Sequence, residues 1–446
     1  MPRKESSPQK GNDHHGTSGY TTSGSPRNGD KPALEDDEKP QKQSEVAEDR
    51  DATGNQGTSG SKYAAETAQT TVKSSFLGSD SKEEFSEQTQ KMIEEWMENI
   101  SKVGIRGIRE EFIKEKRTIL PSMPYEAFNE NEARNRYDDV LLLDHSRVKL
   151  QNKDDDYIHA SLLNISDGYS FICAQAPMSN TCGYFYRMAI EQQCNVIVML
   201  CDFREKTFMK SDNAKAKSKS RSVSKTATRS KDRDDEEGGR HVKVEKSYDY
   251  VPQEEGDFLV FGALTVRNRK TRNVGGTKGN RELEKIIQRE LEITDVRTKK
   301  VSTITHLHYL TWPDHRVPAS PFTSLEVCRI ARYLAKSKPV LVHCSAGIGR
   351  TGTLTLVEMA LHRMMKPDRS QTTFRMVDAL NDIRNARWHS VQNDQQYVFA
   401  HRCVIEQLVE FGALTKSQRV SKFITDHDNF VKRKNAEHGL KPRKPA

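Results

Sequence analysis

The chain has 446 residues, enough for one large catalytic domain with extensions or for two or three small domains. Hydrophobic residues make up 34% and charged residues 30%, with a mean hydropathy of -0.82, which excludes a core running through every segment. Lys and Arg outnumber Asp and Glu by 71 to 63, a net charge of +8 that favours anionic partners, and seven cysteines without CxxC pairs argue against a disulfide framework or a zinc cluster.

The opening stretch "MPRKESSPQKGNDHHG" lacks the apolar centre of a signal peptide, and residues 1–82 are dominated by Ser, Gly, Thr, Asp, Glu, Lys and Gln. Such a segment cannot offset its ordering entropy and reads as a disordered polar tail. A catalytic domain is expected over 83–410. Its first helix is marked by Met92, Ile93, Trp96, Met97 and Ile100, which recur at spacings of three and four. Alternating or β-branched runs, "SFICAQAP", "CNVIVML", "FLVFGALTV", "RELEITDV" and "STITHLHYL", predict strands. "CGYFYRMAIEQQ", "FTSLEVCRIARYLAKS" and "TTFRMVDALNDIRNA" carry helical periodicity.

This mixture predicts an α/β (α+β) domain with one twisted, mixed central sheet flanked by helices. It is interrupted at 211–247 by a basic insertion, whose Lys/Ser run and acidic patch fill 211–241; no core can use it, so it is expected to be solvated and mobile. Residues 411–446 form a basic C-terminal extension, expected to hold a short helix through Val420, Phe423, Ile424 and Phe430 with a loose end. No apolar run approaches the roughly 18 residues needed to cross a bilayer. The chain therefore reads as soluble and cytoplasmic, in a reducing compartment, with Lys/Arg-rich tails compatible with nuclear entry.

The chemistry concentrates in "VHCSAGIGRTG", residues 342–352, between the apolar "KPVLV" and the helical "TLTLVEMALHRM". A strand entering a glycine-bearing turn and then a helix points backbone N–H groups of Ser345, Ala346, Gly347, Ile348 and Gly349 inward, over the positive end of the helix dipole. That is an anion cradle. Cys344 at its mouth is expected to lose its proton well below the ordinary thiol value of about 8.5. Arg350, at the helix start, can grip two oxygens of a tetrahedral oxyanion at once, and Gly347 and Gly349 permit the close backbone path. A phosphate monoester held there has its phosphorus beside the sulfur, so attack giving a phospho-cysteine is the natural reaction.

The same stretch resembles the signature loop of the non-receptor-type, tyrosine-specific protein phosphatases, and the resemblance extends over residues 85–410. "TWPDH", residues 311–315, is similar to that family's acid loop. It implies Asp314 as the general acid, kept protonated by its surroundings, for a phenolate leaving group with a pKa of about 10. "ARNRYDDV", residues 133–140, resembles the substrate-recognition loop, which implies that Tyr137 stacks on the phosphotyrosine ring and that Asp139 holds the substrate backbone. In "VQNDQQYVF", residues 391–399, the resemblance makes Gln392 and Gln396 the residues that orient the hydrolytic water. Thr351 would hydrogen-bond the departing thiolate, His343 would support the loop, and "EKTFMK" would place Glu205 and Lys210 beside the site. Three positions depart from the family pattern: Arg316 in the acid loop, His389 at the pocket rim, where it narrows access, and Val251 before Pro252.

The resemblance implies a protein-tyrosine phosphatase that needs no cofactor or metal, works through a cysteinyl-phosphate and acts on phosphotyrosine-containing proteins. Its accessible thiolate would be open to oxidation to the sulfenic acid. The insertion would modulate access to the cleft or recruit an acidic partner. Nucleic acid is not an expected partner, because the basic runs lack interleaved aromatics. The alternative is a catalytically weak phosphotyrosine-binding module or scaffold.

Overall fold

The computed structural model describes residues 85–117, 123–152, 154–166, 168–210, 239–279, 281–367 and 370–437. The expected N-terminal tail, residues 211–238 of the insertion and residues 438–446 lie outside these. Helix α1 (Glu87–Arg117) buries Met92, Ile93, Trp96, Met97 and Ile100, then Ile108 and Phe112 beyond a kink at Gly104, whose φ of 61° leaves the helical path. Helix α2 (Glu126–Glu130) and a 3-10 turn (Glu132–Arg134) lead into the loop that bears Tyr137.

Strands β1 (Arg147–Lys149), β2 (Tyr157–Ser166) and β3 (Tyr169–Ala174) precede α3 (Cys182–Glu191) and β4 (Val196–Met199). A separate ribbon of β5 (Arg204–Lys210) and β6 (Gly239–Glu245) follows, then β7 (Phe258–Phe261) and β8 (Leu264–Asn273). A small hairpin of β9 (Gly276–Lys278) and β10 (Arg281–Leu283) comes before the long strands β11 (Ile286–Asp295) and β12 (Val301–Tyr309). The remaining elements are α4 (Phe322–Ala335), β13 (Val340–His343), α5 (Arg350–Met365), α6 (Met376–Ala386), α7 (Asp394–Phe411) and α8 (Gln418–Glu437).

Nine strands make one mixed sheet in the order β1-β2-β3-β13-β4-β12-β11-β8-β7. Its centre, β3-β13-β4-β12, is parallel, and its flanks are antiparallel. Central parallel strands are covered on both faces, which is why "VIVM" of β4 and "VLVH" of β13 are unbroken buried runs rather than alternating ones. Helix α5 leaves the C-terminal end of β13 and is buried on nearly every side, so it shows little amphipathic character. This strand-to-helix junction at the sheet centre is where open α/β sheets form binding crevices. No helix among the described residues is long and apolar enough to cross a membrane.

The architecture is the expected α/β fold, with local differences. "FLVFGALTV" is two strands, because Gly262 turns the chain with a φ of 60° between β7 and β8. The C-terminal extension holds a 20-residue helix, α8, longer than its composition suggests, because Val420, Phe423, Phe430 and Val431 are buried in the main core. Arg402 of α7 fixes α8 further, donating to Asp428 at 2.7 Å. The stretch 239–247, grouped by composition with the insertion, is not featureless: residues 239–245 pair with β5, and Lys246 and Ser247 are buried.

Candidate active site

Strand β13 ends at His343, and the chain turns through residues 344–349 before α5 begins at Arg350. Gly347 has a φ of 70°, and a Cβ there would collide with the carbonyl of Ala174, so no other residue fits. Among the described residues, no backbone N–H from Ser345 to Arg350 has a protein acceptor. Six donors in sequence at a helix N-terminus form a concave nest for an anion.

The loop is held from behind. Arg387, fully buried, donates from Nη2 to Ala346 O at 3.0 Å and from Nε to Gly347 O at 3.2 Å. Ser345 Oγ donates to Lys246 O at 2.9 Å and accepts from the Tyr137 hydroxyl at 2.7 Å. His343 donates from Nδ1 to Cys344 O at 3.0 Å and accepts from Tyr250 at Nε2, 2.6 Å away; burial pushes its pKa down to about 4, so the ring is neutral.

Around this loop lies a cavity of about 430 Å³. Cys344, Ser345, Ala346, Ile348 and Arg350 form its floor, and Tyr137, Asp139 and Val140 one wall. Lys246, Asp314 and His315 stand opposite, and Gln392, Val391, His389, Trp388, Arg384 and Glu115 complete the mouth. Cys344 is 4% exposed. Arg350 is aimed by Glu205, which takes Nη1 at 2.5 Å and Nη2 at 2.7 Å in a two-pronged pair, and by Leu200 O at 3.0 Å. Burial works against its charge, but Glu205 outweighs that cost and keeps the guanidinium firmly protonated.

Asp314 meets Arg350 Nη2 through Oδ1 at 2.6 Å and Lys246 Nζ through Oδ2 at 2.6 Å. Burial disfavours the carboxylate, yet Arg350 and Lys246 together hold its pKa well below the usual carboxylate range. Its surroundings therefore keep Asp314 ionised here, not protonated as the sequence reading expects. No group of three His, Cys, Asp or Glu side chains among the described residues is placed to hold a metal ion.

A protein-family model described as "Protein-tyrosine phosphatase" matches residues 131–237 and 233–406, well over half of the chain. The chain belongs to the protein-tyrosine phosphatase family. Tyrosine-protein phosphatase non-receptor type 2 of Homo sapiens is 31% identical over 284 residues, covering 63% of this chain and 57% of that protein. Non-receptor type 9 of Homo sapiens is 30% identical over 313 residues, covering 65% and 44%. Receptor-type tyrosine-protein phosphatase zeta of Homo sapiens is 31% identical over 292 residues, covering 63% and 11%. The chain spans about half the length of the non-receptor relatives it matches.

In this member of the phosphatase family, Cys344, Arg350, Asp314, Tyr137, Asp139, Gln392 and His389 share one cavity. Gln396 lies behind it, fully buried, accepting from Gln392 N at 2.9 Å, and its Nε2, beside Gly349, has no partner among the described residues. Thr351 is buried beneath the loop, and its hydroxyl has no protein partner among the described residues. Lys210 is the exception. It pairs with Gly239 at the far end of the ribbon, about 17 Å along the strand from Glu205.

Among the described residues, the lysine that lines the cavity is Lys246, just past the end of β6. The sequence expectation puts Glu205 and Lys210 in the one short stretch 205–210, but the chain leaves along β5 and returns along β6, pairing Glu205 with Val244. The available signal was the distance to "YDYVP": Lys246 stands four residues before Tyr250, at the point where the ordered strand resumes. His315, Trp388, Arg384 and Glu115 also line the cavity without having been singled out.

Proposed function

We propose that this chain is a protein-tyrosine phosphatase that hydrolyses phosphotyrosine in proteins through a cysteinyl-phosphate. One observation carries the reading: Cys344 lies on the floor of a nest of six N–H groups that have no acceptor among the described residues, with Arg350 and Asp314 in mutual contact above it. In the first step the Cys344 thiolate attacks phosphorus while the N–H groups and Arg350 hold the equatorial oxygens. The phosphorus–oxygen bond breaks, and the tyrosyl oxygen takes the proton of Asp314. For this the acid must be protonated in the complex. The incoming phosphate takes over the Arg350 N–H that Asp314 now accepts, and its negative charge raises the Asp314 pKa.

In the second step Gln392, backed by Gln396, orients a water on the far side of phosphorus. Asp314 takes the water proton, the phosphorus–sulfur bond breaks, and Thr351 donates to the returning thiolate. Tyr137, held by Ser345 at the depth of the loop, makes a slot that suits an aromatic phosphoester better than the shorter phosphoserine. All seven cysteines are free thiols, which suits a protein acting in a reducing compartment.

The test is phosphate release from a phosphotyrosine peptide and its phosphothreonine counterpart by the full chain, Cys344→Ser and Asp314→Ala. The expected result is release from phosphotyrosine alone, abolished by the first change and slowed about 10²–10⁴-fold by the second. Tight phosphopeptide binding with no turnover by the unchanged chain would replace the enzyme with a phosphotyrosine reader.

A further inference from the structure

We propose that His159 is a positioning residue that locks the Tyr137 loop to the phosphate cradle, so that the seat for the aromatic ring and the seat for the phosphate are set together. The proposal rests on the phosphatase reading of the site. His159 lies in β2 and is 2% exposed. Its Nε2 is 2.8 Å from Val140 O, and its Nδ1 is 3.1 Å from Arg387 Nη1. A carbonyl only accepts and a guanidinium only donates, so these partners assign one tautomer: Nε2–H donates to Val140, and the Nδ1 lone pair accepts from Arg387. A protonated ring would turn an N–H against a cation. Burial and the Arg387 charge accordingly press the imidazole pKa down to about 3.

From this ring, contacts run to two walls of the cavity. On one side, Arg387 holds the carbonyls of Ala346 and Gly347. In a trans peptide the C=O of one residue and the N–H of the next point in opposite directions, so holding those two carbonyls back turns the N–H groups of Gly347 and Ile348 into the cradle. Arg387 itself takes its orientation from His159, with Ser161 Oγ as a more distant partner at 3.4 Å. On the other side, Val140 closes the loop that begins at Arg134 and packs with Ala346, Ile348 and Tyr137 in a small apolar cluster.

The start of that loop is pinned from the neighbouring strand. Gln175 accepts from Arg136 N at 2.9 Å, donates to Arg134 O at 2.7 Å, and bonds through its own N–H to His159 O at 3.2 Å. One backbone-bonded pair, His159 and Gln175, thus holds both ends of the substrate loop, and the His159 ring carries a connection on to the cradle through Arg387, beside the direct bond from Tyr137 to Ser345. Replacing the ring by an apolar side chain would leave a buried guanidinium N–H and a buried carbonyl without partners.

The experiment compares His159→Phe with His159→Gln in the full chain. A glutamine can accept from Arg387 with its amide oxygen and donate to Val140 with its amide nitrogen; a phenylalanine can do neither. The readouts are the KM for a phosphotyrosine peptide and the inhibition constant of inorganic phosphate, which reports the cradle alone, at a temperature where each variant is folded. H159F is expected to raise both constants about tenfold, the size of effect that follows when a buried charged donor loses its acceptor, while H159Q stays within about threefold.

Two results overturn the proposal: H159F lowering only the melting temperature with both constants unchanged, or H159Q losing as much as H159F. If neither variant folds, the ring of the unchanged protein decides. Nitrogen-15 spectra of the labelled histidine must show a neutral Nε2–H tautomer between pH 5.5 and 8; an Nδ1–H or cationic ring overturns the proposal without any variant. Failure of the phosphatase reading itself would show separately, as absence of turnover by the unchanged chain.

Discussion

Lys246 Nζ lies 2.6 Å from one oxygen of Asp314, and Arg350 Nη2 lies 2.6 Å from the other, so the proposed general acid is clamped between two cations. The clamp both places the carboxyl over the cavity and favours its ionised form. Lys246→Met removes one of the two charges that lower the Asp314 pKa, so that pKa rises. A general acid with a raised pKa stays protonated to higher pH, and the high-pH limb of kcat should move upward. The plateau should fall about tenfold, because the tie that holds the acid loop is gone. A pH–rate profile of kcat for the two proteins checks both effects; an unmoved limb would mean that Lys246 does not act through Asp314.

Gly349 is a second point where the backbone bears on the proposed chemistry. A Cβ there would collide with Gln392 Oε1 and crowd Gln396 Nε2 at 3.1 Å, while leaving Cys344 and Arg350 in place. The side chain of Gln392 can swing aside, so Gly349→Ala should fold. Its cost should fall on the water-dependent second step. Rapid mixing with a phosphotyrosine peptide should then show a burst of released tyrosyl product followed by a steady rate lowered about tenfold or more, with the phosphoenzyme accumulating. Equal slowing of burst and steady rate would place Gln392 in the first step as well.

How much of this was legible beforehand follows from how far apart the cooperating residues lie in the chain. Cys344, the cradle and Arg350 occupy seven consecutive positions, so their spacing already carried the chemistry. Lys246 was missed because 40 intervening residues and a strand pairing bring it next to Glu205's end of the ribbon, and composition grouped it with the insertion. The lowered pKa of Asp314 is not legible for the same reason: against the effect of burial, it comes from two cations whose approach only the fold specifies. His159 and Arg387 look, in sequence, like polar residues interrupting a strand and ending a helix; their value lies in partners 228 residues apart. The parallel strands were easier to read, because burial on both faces leaves an unbroken apolar run.

His389 stands at the mouth with a φ of 63°, a conformation that strains any side chain bearing a Cβ. Its exposed ring packs edge-on to Trp388 at 5.1 Å and lines the cavity, where we propose that it narrows the approach to the slot. His389→Gly should leave the melting temperature nearly unchanged, since relief of about 1 kcal/mol of strain offsets the extra unfolded-state entropy of glycine, about 0.4–1 kcal/mol. The kcat/KM for aryl phosphates with bulky or branched substituents should rise severalfold, while that for a small, flat aryl phosphate stays the same. Equal gains for both substrates would show that the ring obstructs chemistry rather than entry.

Arg109 links the C-terminal helix to the start of α7, beside the Gln392 loop. Phe430 of α8 is 2% exposed, and the Arg109 guanidinium of α1 sits 5.3 Å from the centre of its ring. The same arginine donates from Nε to Asp394 at 2.6 Å, in the first turn of α7, directly after the Gln392 loop. Phe430→Ala empties a buried aromatic site and should cost about 3–5 kcal/mol of stability, read as a drop of several degrees in melting temperature. Arg109 keeps its carboxylate partner in that variant, so kcat/KM below the transition should stay within about twofold. Arg109→Ala should do the reverse: a smaller loss of stability, because the pair with Asp394 is partly solvated, but slower hydrolysis of the phosphoenzyme as the start of α7 loosens. If Phe430→Ala left the melting temperature untouched, α8 would be an appendage to the catalytic core, and its burial of Val420, Phe423 and Phe430 would count for little in solution.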